Sequence, residues 1–201
     1  MPPALARPTL IIIAGPNGAG KSTLYENRIA PKLAAPFINA DIIQKNELKD
    51  IRLEAAYEAA SIATERRREC LAEGKSFVTE SVFSHPSKLD LINEAKTSGF
   101  LVMVFHVGID SPDLSIARVK TRVAEGGHDV PDQKIRERYD RNGPLIRQAV
   151  LSADLGHVFD NSKLNVPPKR VLSFSTGQLT HVDPYLPNWA ARTYAADLKR
   201  Q

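Results

Sequence analysis

Cysteine is nearly absent. A single residue, Cys70, in 201 residues excludes an internal disulfide or a cysteine zinc cluster, which suits a reducing cytoplasm. Long apolar runs are missing too. The longest, Leu10 to Ala14, falls far short of the roughly 20 residues needed to cross a bilayer and is short even for a secretory core. No membrane association is therefore expected. Aromatic residues make up only 6%, and none interleaves with the basic run Arg66-Arg67-Arg68, so a stacking surface for nucleic acid is not expected there. Charge of one sign does not dominate: 27 Lys and Arg against 23 Asp and Glu leave +4. That mild excess suits a phosphate-bearing ligand as well as nucleic acid and decides nothing alone. What remains is 42% apolar and 25% charged, the composition of an ordinary globular domain.

Short apolar runs alternate with helical patterns. Thr9 to Ala14 is a continuous β-branched run, as a strand buried on both faces requires. Further strands are expected at 36–39, 76–79, 100–107, 157–160, 170–175 and 179–182. Helices are expected from about Lys21 and at 53–73, 86–97, 112–125, 131–151 and 188–200. The β-α order predicts an α/β fold with a mostly parallel central sheet, helices on both faces and hence three layers. One domain over 1–201 is expected, with a helical lid at about 112–141 and a C-terminal extension at about 163–201.

Gly15-Pro16-Asn17-Gly18-Ala19-Gly20-Lys21-Ser22 satisfies every fixed position of the phosphate loop G-x-x-x-x-G-K-S/T, and Thr23 follows. A strand precedes it and a helix follows. The fold is therefore expected to be that of a P-loop NTPase. Glycines let successive N–H groups turn inward on phosphate oxygens, and the helix starting at Lys21 aims its positive end at the same anion. Lys21 is expected on the β- and γ-phosphates and Ser22 on Mg²⁺, with ATP as the nucleotide. No Asn-Lys-x-Asp run for guanine is present, and the strand ending Phe105-His-Val-Gly-Ile-Asp110 lacks the paired acids of an oligomeric ATPase. A kinase is the class that remains.

Phosphoryl transfer to a hydroxyl requires a carboxylate near the acceptor proton and cations around the moving group. Asp41 and Glu80 follow two short strands, where open α/β sheets bind ligands. Each is either a site residue or the cap of the next helix. Arg118 and Arg122 share one helix face, as do Arg138 and Arg141 on the next, while Arg136 lies elsewhere. A glycine turn, Glu125 to Pro131, joins those helices. The arginines read either as a lid over bound phosphate or as a solvated basic face. His128, in that turn, reads as structural or ligand-contacting rather than as a proton carrier. Asp160-Asn161-Ser162 either contacts the adenine or turns the chain. Arg66 to Arg68 reads as a solvated helix face, Cys70 as a small core residue, and Tyr185, Trp189 and Tyr194 as packing anchors.

The phosphate loop, Asn39-Ala-Asp41, Thr79-Glu80-Ser81, and the stretch from Arg118 through Gly126-Gly-His-Asp-Val-Pro131 to Arg138-Tyr139 resemble the zeta-toxin family of P-loop kinases over about residues 9–162. The resemblance implies a small-molecule kinase using ATP and Mg²⁺, with Asp41 as general base and Glu80 as an acid holding the substrate. It also implies Arg122 and Arg138 as the nearest candidates for paired lid arginines, with Arg118 and Arg136 as neighbours. Toxin members phosphorylate the amino sugar of UDP-N-acetylglucosamine and are countered by an antitoxin protein, so a UDP-sugar acceptor and an antitoxin partner are implied here. Ser81-Val-Phe-Ser-His-Pro86 departs from the toxins' substrate loop, which leaves the acceptor open. The rival classes are a nucleotide-dependent binding module, with Asp41 and Glu80 as helix caps, and a nucleic-acid-end kinase.

Overall fold

The computed structural model describes residues 7–50, 52–125 and 129–199. Seven strands form one sheet in the order β2-β3-β1-β4-β5-β6-β7. They are β1 (Thr9–Ala14), β2 (Phe37–Ile38), β3 (Phe77–Ser81), β4 (Leu101–Gly108), β5 (Leu155–Asp160), β6 (Lys169–Ser175) and β7 (Gln178–Val182). The first five run parallel, and β6 and β7 are antiparallel. β1 lies inside the sheet between β3 and β4 and every one of its residues is buried, which explains why Leu10 to Ile13 carry no polar side chain. Gly177 and Thr176 both adopt positive φ in the two-residue turn between β6 and β7, the geometry that matches hairpin twist.

Helices cover both faces. On one side Leu10, Ile12 and Ala14 meet α3 (Leu53–Ala72), α4 (Asp90–Thr97) and the end of α6 (Asp132–Ser152). On the other, Ile11, Ile13 and Val78 meet α1 (Lys21–Leu24), which continues as a wider π-helical turn through Ile29. α2 (Ala40–Ile43), with its own π-helical turn through Leu48, follows β2 and was not anticipated from the sequence. α5 (Pro112–Ala124) precedes α6, and the chain closes with α7 (Asn188–Thr193) and α8 (Ala195–Leu198) in place of the single helix expected. The architecture is the three-layer, mostly parallel α/β sandwich anticipated for a P-loop protein.

The residues after 163 share this sheet and core. β6 and β7 extend the sheet, and Trp189 and Tyr194 are buried against it. Tyr194 Oη lies 2.8 Å from His106 Nδ1, and Trp189 Nε1 donates to Asp160 at 2.8 Å. Tyr185 corrects the sequence expectation. It is 85% exposed, its ring beneath Lys169 Nζ rather than packed in the core. Cys70 is buried, as expected of a small core residue.

Candidate active site

Parallel pairing aligns the C-terminal ends of β1, β3, β4 and β5, so the loops leaving them converge on one edge. Ile13 pairs with Glu80, Ala14 with His106, and Gly108 with Asp160. The phosphate loop leaves β1 at the middle of that edge. Gly20 adopts φ 84° and ψ 32°, a left-handed turn that starts α1 at Lys21.

Lys21, Ser22 and Glu80 form one cluster. Lys21 is only 6% exposed, donates from Nζ to the Pro16 carbonyl at 3.0 Å, and lies 3.6 Å from Glu80 Oε1. Ser22 Oγ donates to the other Glu80 oxygen at 2.9 Å. A carboxylate shared by the loop lysine and the loop hydroxyl puts a strong acceptor where phosphate and metal chemistry would meet.

The loop is braced from two sides. Ser115 Oγ on α5 donates to the Asn17 carbonyl. Asn161 Nδ2, just past β5, donates to the Ala19 carbonyl at 2.8 Å. Neither brace was identified from the sequence, since each joins segments about a hundred or more residues apart and no local pattern announces it. Ser162 Oγ meanwhile donates to Asp160 at 2.6 Å. Asp160-Asn161-Ser162 thus ties the loop to the C-terminal layer through Trp189.

Asp41 lies in the first turn of α2, after the edge strand beside β3. The cap of α2 is Asn39, whose Oδ1 accepts from the Asp41 N–H at 2.8 Å. Asp41's own carboxylate is exposed and makes no hydrogen bond or ion pair among the described residues. The helix-cap alternative for Asp41 is thereby answered, and Glu80, on a strand, caps nothing. Asp41 does not touch the Lys21–Ser22–Glu80 cluster.

The arginines divide. Arg118 is half-buried on α5 and stands 3.5 Å from both the Gly18 and Lys163 carbonyls. Burial lowers its guanidinium from the ordinary value, and Asp160 partly offsets that. Arg136 pairs with Asp113 at 2.6 Å and Lys120 with Asp132 at 2.8 Å, binding α5 to α6. Arg122 and Arg138 are half-buried, and Arg138 has no hydrogen bond or ion pair among the described residues. Arg141 turns back onto the Glu137 carbonyl. Tyr139 Oη donates to the Ile109 carbonyl at 2.6 Å, and burial pushes its phenol up to about 12. Gly126, Gly127 and His128 lie outside the described residues.

Two hollows flank the loop. One, of about 370 Å³, opens beside Glu80 between β3, α3 and α4, with Ile12 and Thr79 on its floor. The other, of about 660 Å³, lies between α1, Arg118, Asn161 and the segment 163–168. The basic run is not uniformly a solvated face. Arg66 pairs with Glu47 and Arg68 with Glu65, but Arg67 turns inward and lines the first hollow.

Residues 1–163 match the family model for zeta toxin. An uncharacterized protein of Haemophilus influenzae is 31% identical over 136 residues, covering 64% of this chain and 91% of that protein. Among solved structures, a chain of the AvrRxo1-ORF1:-ORF2 complex with ATP has a TM-score of 0.68 at 17% identity. The match covers 95% of this chain and 63% of that one, so this chain spans less than two thirds of its length. A chain of the PezAT chromosomal toxin-antitoxin system of Streptococcus pneumoniae has a TM-score of 0.62 at 13% identity, covering 98% and 86%. At those identities the two structures speak for the fold. No helix among the described residues is long and apolar enough to cross a membrane. With the family model matched over residues 1–163 of its 201, the phosphate loop in its strand–helix setting and the fold shared with these structures, this chain belongs to the zeta toxin family of P-loop kinases.

Proposed function

We propose that this chain transfers the γ-phosphoryl group of ATP to a hydroxyl of a small molecule. The observation that carries the reading is the Glu80 carboxylate, held by Ser22 and Lys21 at the mouth of a hollow large enough for a sugar-sized acceptor. The phosphates would lie in the loop from Gly15 to Thr23, with the nucleoside in the flanking cleft beside Arg118 and Asn161. A relative of the same fold was crystallised with ATP, which supports that nucleotide.

The acceptor oxygen forms a bond to the γ-phosphorus as the bond to the β-phosphate oxygen breaks, and ADP leaves. The acceptor proton passes to Asp41, whose carboxylate is free to take it. Lys21 follows the charge on the phosphates, and Glu80 orients the acceptor beside it. Arg122 and Arg138, on the helical segment 112–141, act as a lid that surrounds the transferring group and excludes water. Magnesium fits the donor set: the exposed Ser22 hydroxyl and the Glu80 carboxylate are adjacent hard oxygens, and such ions take their remaining ligands from phosphate and water. Bound there, the ion would neutralise charge on the phosphates.

UDP-N-acetylglucosamine is the first acceptor to test. The toxin-antitoxin system of the Streptococcus pneumoniae relative makes an antitoxin the partner class to seek. Labelled ATP and Mg²⁺ are offered with UDP-sugars, nucleosides, sugars and sugar phosphates. Label moves to one acceptor class, and Asp41→Asn binds ATP but loses transfer by at least about a hundredfold. Label released only to water, across all acceptors, overturns the kinase reading in favour of a nucleotide-dependent binding module.

A further inference from the structure

Three cations that the transfer step does not use line the hollow beside Glu80: Arg68, which pairs with Glu65, and Arg67 and Lys88. Arg67 projects into it from α3, half-buried, with one guanidinium nitrogen donating to Thr64 Oγ1 at 2.8 Å. Lys88, exposed for much of its length, also lines the hollow, at the end of the short 3₁₀ turn Pro86–Lys88 that precedes α4. Among the described residues neither forms an ion pair, although Arg66 and Arg68 on either side of Arg67 both do.

Three carboxylates also border the hollow. Glu80 is engaged by Lys21 and Ser22, and Asp90 and Glu94 stand exposed on α4 without reaching either cation. Burial lowers the Arg67 guanidinium from its ordinary value. Lys88 is lowered by desolvation first and by the charge of Arg67 second. Two like charges lining one hollow, Arg67 half-buried and neither with a counter-ion, raise the energy of the empty site, and an anion bound to both lowers it. A guanidinium beside an ammonium suits phosphate or carboxylate, the first gripping two oxygens and the second acting as a point charge.

Resting on the phosphotransfer reading, the geometry points to an acceptor that carries an anionic group, phosphate or carboxylate, seated between Arg67 and Lys88 while its hydroxyl faces Glu80. Arg67 and Lys88 thereby determine acceptor specificity and leave the nucleotide site alone.

The test separates this site from the transfer reaction. The full chain is saturated with a non-hydrolysable ATP analogue and Mg²⁺, filling the phosphate loop, and titrated calorimetrically with inorganic phosphate and, separately, with malonate. At least one anion binds, and the stronger identifies the phosphate or the carboxylate source. Arg67→Ala weakens that binding about tenfold or more and Lys88→Ala by a lesser factor, while Arg67→Lys, which keeps the charge and much of the stem, retains most of it. Equal affinity for the analogue verifies that each variant is folded. No anion binding, or binding indifferent to both alanine variants, overturns the site.

Transfer is then measured on matched neutral and anionic acceptors, such as a sugar and its phosphate. The anionic member is preferred, and Arg67→Ala raises its KM about tenfold with kcat nearly unchanged. If no acceptor is phosphorylated while Arg67-dependent anion binding persists, the kinase reading fails and the anion site stands. If both acceptors react equally well and Arg67→Ala leaves KM unchanged, the anion site fails and the kinase reading stands.

Discussion

Gly20→Ala probes how the phosphate loop is held. Gly20 sits at φ 84° and ψ 32°, where a side chain costs roughly 1–2 kcal/mol. A Cβ built there would lie 2.3 Å from Asn161 Nδ2, so the amide must move. Moving it breaks the 2.8 Å bond to the buried Ala19 carbonyl, which costs about 1–2 kcal/mol. The single variant should therefore lose about 3 kcal/mol and bind ATP poorly. Asn161→Ala alone forfeits the same hydrogen bond, about 1–2 kcal/mol. In the double variant the collision has nothing left to strike, and only the backbone strain and one lost hydrogen bond remain, again about 3 kcal/mol. Urea denaturation of the four proteins should show the double variant 1–2 kcal/mol less destabilised than the sum of the singles, roughly one hydrogen bond counted twice. Additivity within about 0.5 kcal/mol would refute the claim that Asn161 holds the loop through this contact.

Asn39→Ala removes the cap of α2, so stability should fall by about 1 kcal/mol. Phosphotransfer should fall further than ATP affinity, because the same bond fixes the turn carrying Asp41, and parallel denaturation and transfer assays separate the two effects. His106 is fully enclosed, and burial drives its imidazole down to about 3 from an ordinary 6.5. The unfolded chain therefore binds the extra proton between those values. The stability that His106 contributes is complete above about pH 6.5 and is lost as pH falls toward 3, by up to about 1.4 kcal/mol per pH unit. Denaturation of wild type and His106→Gln at pH 7, 5.5 and 4.5 should show a shallower decline in the variant. Gly108→Ala would set a Cβ 2.2 Å from the Trp189 ring, and overpacking there should cost about 1–3 kcal/mol and lower the melting temperature.

The parts legible in the sequence were those whose signal is local. A β1 apolar from Leu10 to Ala14, followed by Gly15 to Ser22, states both a buried strand and an anion-binding turn within fourteen consecutive residues, 9–22. The arginine run shows where local reading fell short although the information was present. Ala55, Ala59 and Ala63 form the buried stripe of α3, and Arg67, four residues further on, continues it. Arg66 and Arg68 lie about a hundred degrees to either side and find surface carboxylates. A helical projection of the alanines would have picked out Arg67 as the inward member. Asn39 was obscured for another reason: its polar side chain reads equally as loop or cap, and α2 is too short to declare a period. Asn161 and Ser115 carry no local signal, because their partners come together only when the sheet assembles.

How the proposed lid would close is constrained by where the arginine-bearing segment is fastened. The first half of α5 is fixed to the phosphate loop through Ser115, and the second half of α6 is fixed to the sheet through Ile146, Ala149 and Val150 and to α8 through the Arg147–Asp197 pair. Between them lies a small separate cluster of Ile116, Val119, Val130 and Ile135, together with the two cross-helix ion pairs. Pro144 interrupts α6 at its middle. It offers no N–H to the carbonyl one turn back, so the helix is weakest between its sheet-bound half and its outer half. Tyr139, bonded to the Ile109 carbonyl, sits just on the outer side of that break. Were this segment the proposed lid, it would pivot near residues 139–144 and carry the first two turns of α6 as a unit. Arg138 would then travel with the moving part, whereas Arg118, one turn from Ser115, would stay in the wall of the proposed nucleotide cleft. In the proposed reaction the two arginines would then serve different moments, Arg118 in binding ATP and Arg138 only once the site had closed.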